Sequence, residues 1–462
     1  MRWRRASGLV DTMIETSGQQ DGTTAGRGAG DTDSAVAAPL PSLPRALLQV
    51  LLVSLQLGCT SFGGPVAHLA YYRERYVQRL RWLTERDYAD LVALCQFLPG
   101  PTSSQVGMGI GVRRAGSLGA LAAFTGFTLP SAVLMIAAGY GVLALDPGRY
   151  GGLLTGLKAA AVAVVAQAVW HMGKTLCPDR ARLSMALITA MVLAMLPFVW
   201  LPAVMIVVSG LVGFWWFREA GRLEVESALR IKPAQPLPGD SEDSAAPSEI
   251  IADEPECRSV HPRIARFCLT AFFAILLGLP AIAIAAEAGW LRQLDSFFRA
   301  GSLVFGGGHV LLPLLDRETV EAGLVTPDTF LAGYGLAQAV PGPLFTFAAY
   351  LGTVMDLDPS GWRGGLWCLA AVFLPSILLL LGILPAWEGL RRVAVVRAGL
   401  MGANAAVVGL LLAALYHPIW TAGVPSGNAF ALVLLAFLAL QILRAPAWMV
   451  VLAVAGLGMA VA

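Results

Sequence analysis

Two tripeptides of one kind, Pro99-Gly100-Pro101 and Pro341-Gly342-Pro343, interrupt apolar runs of this 462-residue chain. Each proline removes a backbone donor and the first of each pair clashes with the turn before it, so a helix must break there. The segment after the first break starts with Pro101 in the favoured first-turn position. Its free amides face the break with the positive end of the helix dipole. Thr102, Ser103, Ser104 and Gln105 add side-chain donors at the same place. Donors without fixed charge suit an oxyanion that must be bound and then released. After the second break come Leu344 and Phe345, with Thr346 the only nearby hydroxyl, so the binding contribution is expected to be lopsided toward the first. The bland alternative is a pair of structural kinks.

A second pair of motifs, Phe62-Gly63-Gly64 and Phe305-Gly306-Gly307, offers backbone turns or close approaches that only glycine permits. Two such nests facing one cavity would supply further amide donors to an anion; close helix packing is the alternative. His68 and His309 follow them, each read as a packing group before a proton relay. Gln96 and Gln338 stand three residues before the breaks, placed to touch a ligand or to satisfy backbone freed by proline. Lys158 and Asn404 are polar intrusions in matching apolar runs; an intramembrane lysine is costly, but Lys158 lies early enough in its run to snorkel. Arg113 and Arg114 suit an anion-gathering vestibule or plain topology signals. Asp295 and Arg299 are spaced to neutralise each other as an i, i+4 pair.

The elements that must position these residues are membrane helices. The chain is 56% hydrophobic and 13% charged, against about 25% charged for a soluble protein. Apolar runs recur from Leu47 onward, each long enough to cross roughly 30 Å of hydrocarbon. Backbone without water must bond internally, as helix or closed barrel, and the runs lack the period-two alternation of a barrel. The expected fold is an all-α polytopic membrane protein. A net charge of +2 gives no reason to expect nucleic acid. The six cysteines show no C-x-x-C spacing, so neither a metal site nor a disulfide framework is expected; no cofactor and no catalytic group is indicated either. Residues 1–42 read as a disordered cytoplasmic tail without a signal peptide. Residues 218–262 read as a solvated linker, with seven acids and no Lys or Arg between Pro233 and Glu256.

The linker separates two halves that repeat each other. The Phe-Gly-Gly motif returns at an offset of 243, the Pro-Gly-Pro motif with Thr84 and Gln96 at 242, Pro130-Ser131 at 245 and Gly156-Leu157 at 243. Candidate spans are near 44–66, 87–111, 117–144, 152–173, 182–197 and 199–217, then 290–313, 328–352, 362–386, 395–415, 428–443 and 446–461. An unmatched run at 264–286, within a connecting segment 263–288, brings the expectation to about 13 spans (range 10–13) and separates the repeats 43–217 and 289–462. Seven spans between equivalent points would turn the second half over, the inverted repeat of many secondary transporters. With the N-terminus in the cytoplasm, Arg113, Arg114, Lys174, Arg180, Arg182, Arg391, Arg392, Arg397 and Arg444 fall inside, as positive-inside topology requires. Residues 71–86 disagree, because Arg73, Arg75, Arg79, Arg81 and Arg86 fall outside on this count. Either the Phe-Gly-Gly segment is re-entrant, or the arginines belong to an interfacial helix that serves a substrate.

The stretches SFGGPVAHL (61–69), FLPGPTSSQVGMGIG (97–111), VFGGGHVLLPLL (304–315) and AQAVPGPLFTFAAYLG (337–352) resemble the chromate ion transporter family in its long, two-domain form. The resemblance covers residues 44–461 apart from the linker. It implies export of chromate across the inner membrane and hence chromate resistance; sulfate or another oxyanion is the rival cargo, and a passive channel or a membrane-embedded enzyme are the more distant readings. A potential negative inside favours exit of a dianion by about 4.6 kcal/mol per 100 mV. No Walker-type motor is present. A coupled proton would need a carrier, for which Asp87, Asp90 and Asp328 near span ends are weak candidates. The lipid bilayer and the oxyanion are the expected partners; a homodimer is left open.

Overall fold

The structure is a computed structural model that describes residues 41–144, 147–196, 198, 200–219, 258–387 and 394–461. The expected tail 1–42 and linker 218–262 lie almost wholly outside these residues, as do Arg391 and Arg392. Among the described residues there is no strand, and six helices are long and apolar enough to cross a membrane.

The first half opens with α1 (Leu43–Thr60) and α2 (Gly64–Tyr72), the latter continuing as a wider π-helical stretch, Arg73–Arg79. Then come α3 (Glu85–Phe97) and α4 (Thr102–Ala144). Helix α4 is interrupted where Ala115 and Gly116 leave helical geometry, Gly116 with φ of 70°. Gly111 and Gly119 lie so close across this point that a Cβ on either would overlap the carbonyl of the other. In a continuous helix they would stand about 12 Å apart, so the chain reverses, giving α4a (102–114) and α4b (117–144). Helices α5 (Pro147–Leu176), α6 (Arg180–Met195) and α7 (Leu201–Trp216) complete the half.

A connecting helix α8 (Pro262–Ala286) leads to α9 (Gly289–Ser302), α10 (Leu311–Thr319), α11 (Pro327–Ala339) and α12 (Phe347–Val354). Helices α13 (Gly361–Ile383), α14 (Ala394–Ala414), α15 (Gly427–Gln441) and α16 (Ala447–Val461) follow. The two halves share local signals. Thr84 and Thr326, at the repeat offset, each cap the next helix by accepting from the amide three residues on, at 3.1 and 3.2 Å.

Four apolar runs expected as single spans, near 44–66, 87–111, 290–313 and 328–352, instead fold back on themselves. Ser54 meets Tyr76 (3.2 Å) and Gln56 meets Arg75 (3.2 Å), so α1 and α2 are antiparallel arms. Leu91 packs on Gly109, and Arg113 pairs with Asp87 at 2.7 Å, which folds α3 against α4a. In the second half Arg299 pairs with Glu318 at 2.8 Å across α9 and α10. Tyr350 covers Gly333 and donates to the Thr329 carbonyl (2.8 Å), folding α12 onto α11. The reason lies at the tips. Gly63, Gly100, Gly306 and Gly342 have φ of 100°, 123°, 75° and 99°, which lets the chain turn where proline has ended the helix or glycines replace it. The 13 residues of α3 and of α11 make arms of about 20 Å, short of the hydrocarbon thickness.

Helices α4b and α13 run antiparallel through the centre. The Tyr140 hydroxyl accepts from the Trp362 amide at 2.9 Å, and Phe124 packs on Phe373 with centroids 4.9 Å apart. Hairpin α3–α4a lies against the Gly119 end of α4b, whereas Thr353 of hairpin α11–α12 lies against Gly139 at the other end. The hairpins therefore approach the middle of α4b from opposite ends.

Candidate functional site

The four tips meet. The Gly100 amide at the first proline break donates to the Val304 carbonyl (2.7 Å), just before the second Phe-Gly-Gly turn. The Gly342 amide at the second break donates to the Ser61 carbonyl (2.9 Å), just before the first turn. Ser61 and Val304 are equivalent at the 243 offset, so each break is tied to the opposite half by the same bond. Both tips also touch a serine of the opposite central helix. A Cβ on Gly100 would overlap Ser376 Oγ of α13, and one on Gly342 would overlap Ser131 Oγ of α4b.

His68 joins the two breaks within the buried centre. Its Nε2 lies 3.2 Å from the Ser61 carbonyl and its Nδ1 3.2 Å from Ser103 Oγ. A carbonyl only accepts, so Nε2 carries the hydrogen, and in the neutral ring the Ser103 hydroxyl donates to Nδ1. His68 thus links Ser103, just past the first break, to the carbonyl that receives the amide of the second.

The breaks differ in how they close. At the second, Ser131 Oγ donates to the Pro341 carbonyl (2.5 Å) and Thr346 Oγ1 to the Pro343 carbonyl (2.8 Å). At the first, the Pro99 carbonyl is taken by Gln105 Nε2 (2.8 Å), a residue whose repeat counterpart is Phe347. The hydroxyls equivalent to Ser131 and Thr346 are those of Ser376 and Ser104. Both are buried without a hydrogen-bond partner among the described residues, as are Ser61 Oγ and Gln105 Oε1. Buried polar atoms are normally bonded, so the three hydroxyls mark a place equipped to donate to a further group, with the Gln105 amide oxygen a free acceptor beside them. The site is shut: Ser61, His68, Ser103, Ser104, Gln105 and Ser376 are each at most 3% exposed.

The sequence-derived candidates divide accordingly. Pro99, Gly100, Pro101, Ser103, Ser104, Pro341, Gly342, Pro343 and His68 come together at the centre, with Thr102 half-buried beside them. Phe62 packs instead on Trp448 of α16 (5.6 Å), Gly63 and Gly306 are exposed, and Gly64 and Gly307 have open space where a Cβ would be. Phe305 packs against the apolar core. Gln96 is exposed on α3, away from the break. Gln338 stays half-buried one turn from Tyr334, whose hydroxyl pairs with His309 Nδ1 at 2.7 Å. Asn404 lies near Gly306. Lys158 does not snorkel but pairs with Asp328 at 2.8 Å, and Asp295 pairs with Arg299 at 2.9 Å as its spacing required. Arg113 is held by Asp87, and Arg114 stacks on Trp82 (4.8 Å), so neither stands open as an anion collector. Sequence reading missed Ser61, Ser131 and Ser376; the paired Pro-Ser at 130–131 and 375–376 was the available signal. Among the described residues no group of His, Cys, Asp or Glu could hold a metal.

Comparison with known proteins agrees with this repeat. The chromate transporter family model matches residues 48–214 and again 291–459. A chromate transport protein of Pseudomonas aeruginosa is 27% identical over 388 residues, 82% of each chain. One of Cupriavidus metallidurans is 25% identical over 386 residues, covering 80% of this chain and 81% of the relative. An uncharacterized transporter of Methanocaldococcus jannaschii is 27% identical over 369 residues, or 79% and 83%. No solved structure matches. With both halves matched in order and an integral-membrane architecture around them, the chain belongs to the chromate transporter family.

Proposed function

We propose that this protein is a secondary transporter that exports chromate through an inverted repeat, binding the dianion at the meeting point of the two proline breaks. The observation that carries the reading is the unequal closure of the breaks: Ser104 and Ser376 have unspent buried donors where Thr346 and Ser131 are bonded. Neutral hydroxyls replace part of a hydration shell without holding the anion too tightly to leave. The relatives named chromate transport proteins support chromate as the cargo.

Folding the four arm pairs back changes the span count and removes the anomaly in charge. Helices α4b, α5, α6, α7 and α8 then separate the halves. Five crossings, an odd number, turn the second half over, as the antiparallel packing of α4b and α13 supports. In all, nine helices cross in this reading rather than 13. Arg73, Arg75, Arg79, Arg81 and Arg86 fall on the side of Arg113, Lys174, Arg397 and Arg444, which positive-inside topology makes the cytoplasm. The re-entrant alternative for the Phe-Gly-Gly segment is the one this favours. Export across the inner membrane then runs with the potential and confers chromate resistance.

The test is efflux of labelled chromate, with sulfate as competitor, from vesicles containing the purified chain. Saturable chromate flux that sulfate competes only weakly is the expected outcome. Flux of sulfate in preference to chromate would assign the rival cargo, and no anion flux would overturn the reading.

A further inference from the structure

The unspent groups where the breaks meet are not all donors. Ser61, Ser104 and Ser376 bring hydroxyls, but Gln105 brings its amide oxygen. The partner of that amide fixes its orientation. Gln105 Nε2 faces the Pro99 carbonyl at 2.8 Å. A carbonyl only accepts, so the nitrogen must stand there and Oε1 must point elsewhere. Gln105 is 0% exposed, so bulk water does not reach the oxygen. A Cβ on Gly100 would overlap Ser376 Oγ and stand 2.9 Å from Gln105 Nε2, which places the amide beside a free hydroxyl. The amides of Gly100 and Gly342 are already given to Val304 and Ser61. An occupant of this place therefore meets hydroxyls that can donate and one group that can only accept.

A fully ionised tetrahedral oxyanion carries acceptors alone. Against Gln105 Oε1 it would set lone pair to lone pair and leave the amide oxygen unpaired, which is costly in a buried place. The same anion with one proton offers an O–H to Oε1 and acceptors to the serines, so every group is paired. Charge argues in the same direction. Ser61, Ser103, Ser104, Gln105, Ser376 and the neutral His68 bring no cation, and two negative charges cost more than one to bury without a partner. Titratable groups on the elements packed against α4a are engaged elsewhere or stand apart. Tyr72 of α2, its hydroxyl also unbonded, lies on Gly107 a turn beyond Ser103. On α3, Arg113 holds Asp87, Asp90 follows a turn later, Tyr88 donates to the Leu69 carbonyl and Cys95 lies in the apolar core. On α13, Cys368 faces Gln293 and Arg363 lies over Trp362. On α11 and α12, Tyr334 pairs with His309, Asp328 with Lys158 and Tyr350 with the Thr329 carbonyl. Arg45 and Cys59 of α1 are exposed.

We infer that the site holds the oxyanion with one proton on it, and that Gln105 Oε1 sets specificity by accepting from that O–H. The inference rests on the transporter reading and deepens it by naming the form of the cargo. The dianion takes up one proton from water as it enters, crosses as a monoanion, and returns the proton to water on the far side. Chromate loses its last proton near neutral pH, sulfate only in strong acid. Selection between two ions of one shape then follows from the proton. A site built to hydrogen-bond a hydroxyl rejects an analogue that lacks one far more strongly than a pocket rejects a change of size.

The experiment measures flux of labelled chromate through the full chain in liposomes, at a series of pH values spanning chromate's own deprotonation. The total chromate concentration at half-maximal flux is expected to rise about tenfold per pH unit above that point. Inhibition by selenate, a dianion throughout, should stay weak and level. A level half-maximal concentration for chromate overturns the inference. A parallel shift for chromate and selenate overturns it too, because a protein group such as His68 would then be the one titrating. Gln105→Leu is expected to lose the pH slope and to narrow the preference for chromate over sulfate by about tenfold or more; a wild-type slope in that variant counts against the inference. Because Gln105→Leu also frees the Pro99 carbonyl and can fail to fold, chromate bound to the wild-type chain in detergent gives a second reading. Chromate absorbs differently with and without its proton. The protonated spectrum in mildly alkaline buffer supports the inference, and the dianion's spectrum overturns it. Absence of chromate flux in wild type would sink the transporter reading and leave the bound spectrum to decide on Gln105; absence of bound chromate as well sinks both.

Discussion

Ser131 and Ser376 occupy equivalent places 245 residues apart, each against the glycine of the opposite break, yet only Ser131 is bonded. At the first break it is Gln105 Nε2 that donates to the Pro99 carbonyl, the equivalent of the Pro341 carbonyl that Ser131 serves. Two alanine substitutions should therefore part company. Ser131→Ala leaves the Pro341 carbonyl buried and unpaired and is expected to lower stability by about 1–3 kcal/mol. Ser376→Ala removes a hydroxyl with no partner, so thermal unfolding in detergent should barely move while the chromate concentration at half-maximal flux rises. Equal effects on stability would show that the two breaks are closed alike.

The glycine tips set a second expectation. At Gly100 and Gly342 a Cβ meets a serine oxygen, and φ of 123° and 99° disfavours any side chain. Gly100→Ala and Gly342→Ala combine overlap with backbone strain of about 1–2 kcal/mol. Both should abolish transport while the protein still inserts. Gly141 in α4b has nothing within reach of a Cβ, so Gly141→Ala is the control and should transport normally. Full transport by Gly100→Ala would remove the tip from the mechanism.

Much of this was legible in the chain before any coordinates. Offsets of 242 to 245 between matched motifs announced the two halves, and proline beside glycine in apolar runs announced the breaks. What could not be read was direction. Hydropathy sees residues 87–111 as one long run and is blind to a glycine that reverses it; only the pairing of Asp87 with Arg113 and of Leu91 with Gly109 shows the return. The anomalous arginines of 71–86 were the trace in sequence of the other reversal, that of the run 44–66, where Ser54 meets Tyr76. Partners separated by hundreds of residues, such as Gly342 with Ser61, leave no local signal at all.

That reversal gives a topological prediction. Cysteines placed singly at Arg79, Arg444 and Asp358 in a chain stripped of native cysteines should label from defined sides with a membrane-impermeant reagent. Positions 79 and 444 are expected to react from the same side, and 358 from the other. If α1 crossed the membrane outright, 79 would react with 358 instead.

The last expectation concerns how the halves are held together away from the tips. Lys158 of α5 lies buried, its side chain 9% exposed, and reaches Asp328 at the start of α11, 61% exposed, at 2.8 Å. The exposed acid is screened by water, which limits the pair; the buried ammonium has given up much of its hydration, which raises the cost of leaving it alone. A double-mutant cycle with Lys158→Met and Asp328→Ala should therefore give a coupling of about 1 kcal/mol, the upper end for a screened pair. Asp328→Ala alone should destabilise more than the double variant, because methionine removes the charge that the acid was compensating. A coupling of zero in thermal unfolding would mean that the lysine reaches water by itself, and that this pair contributes nothing to holding the two halves together.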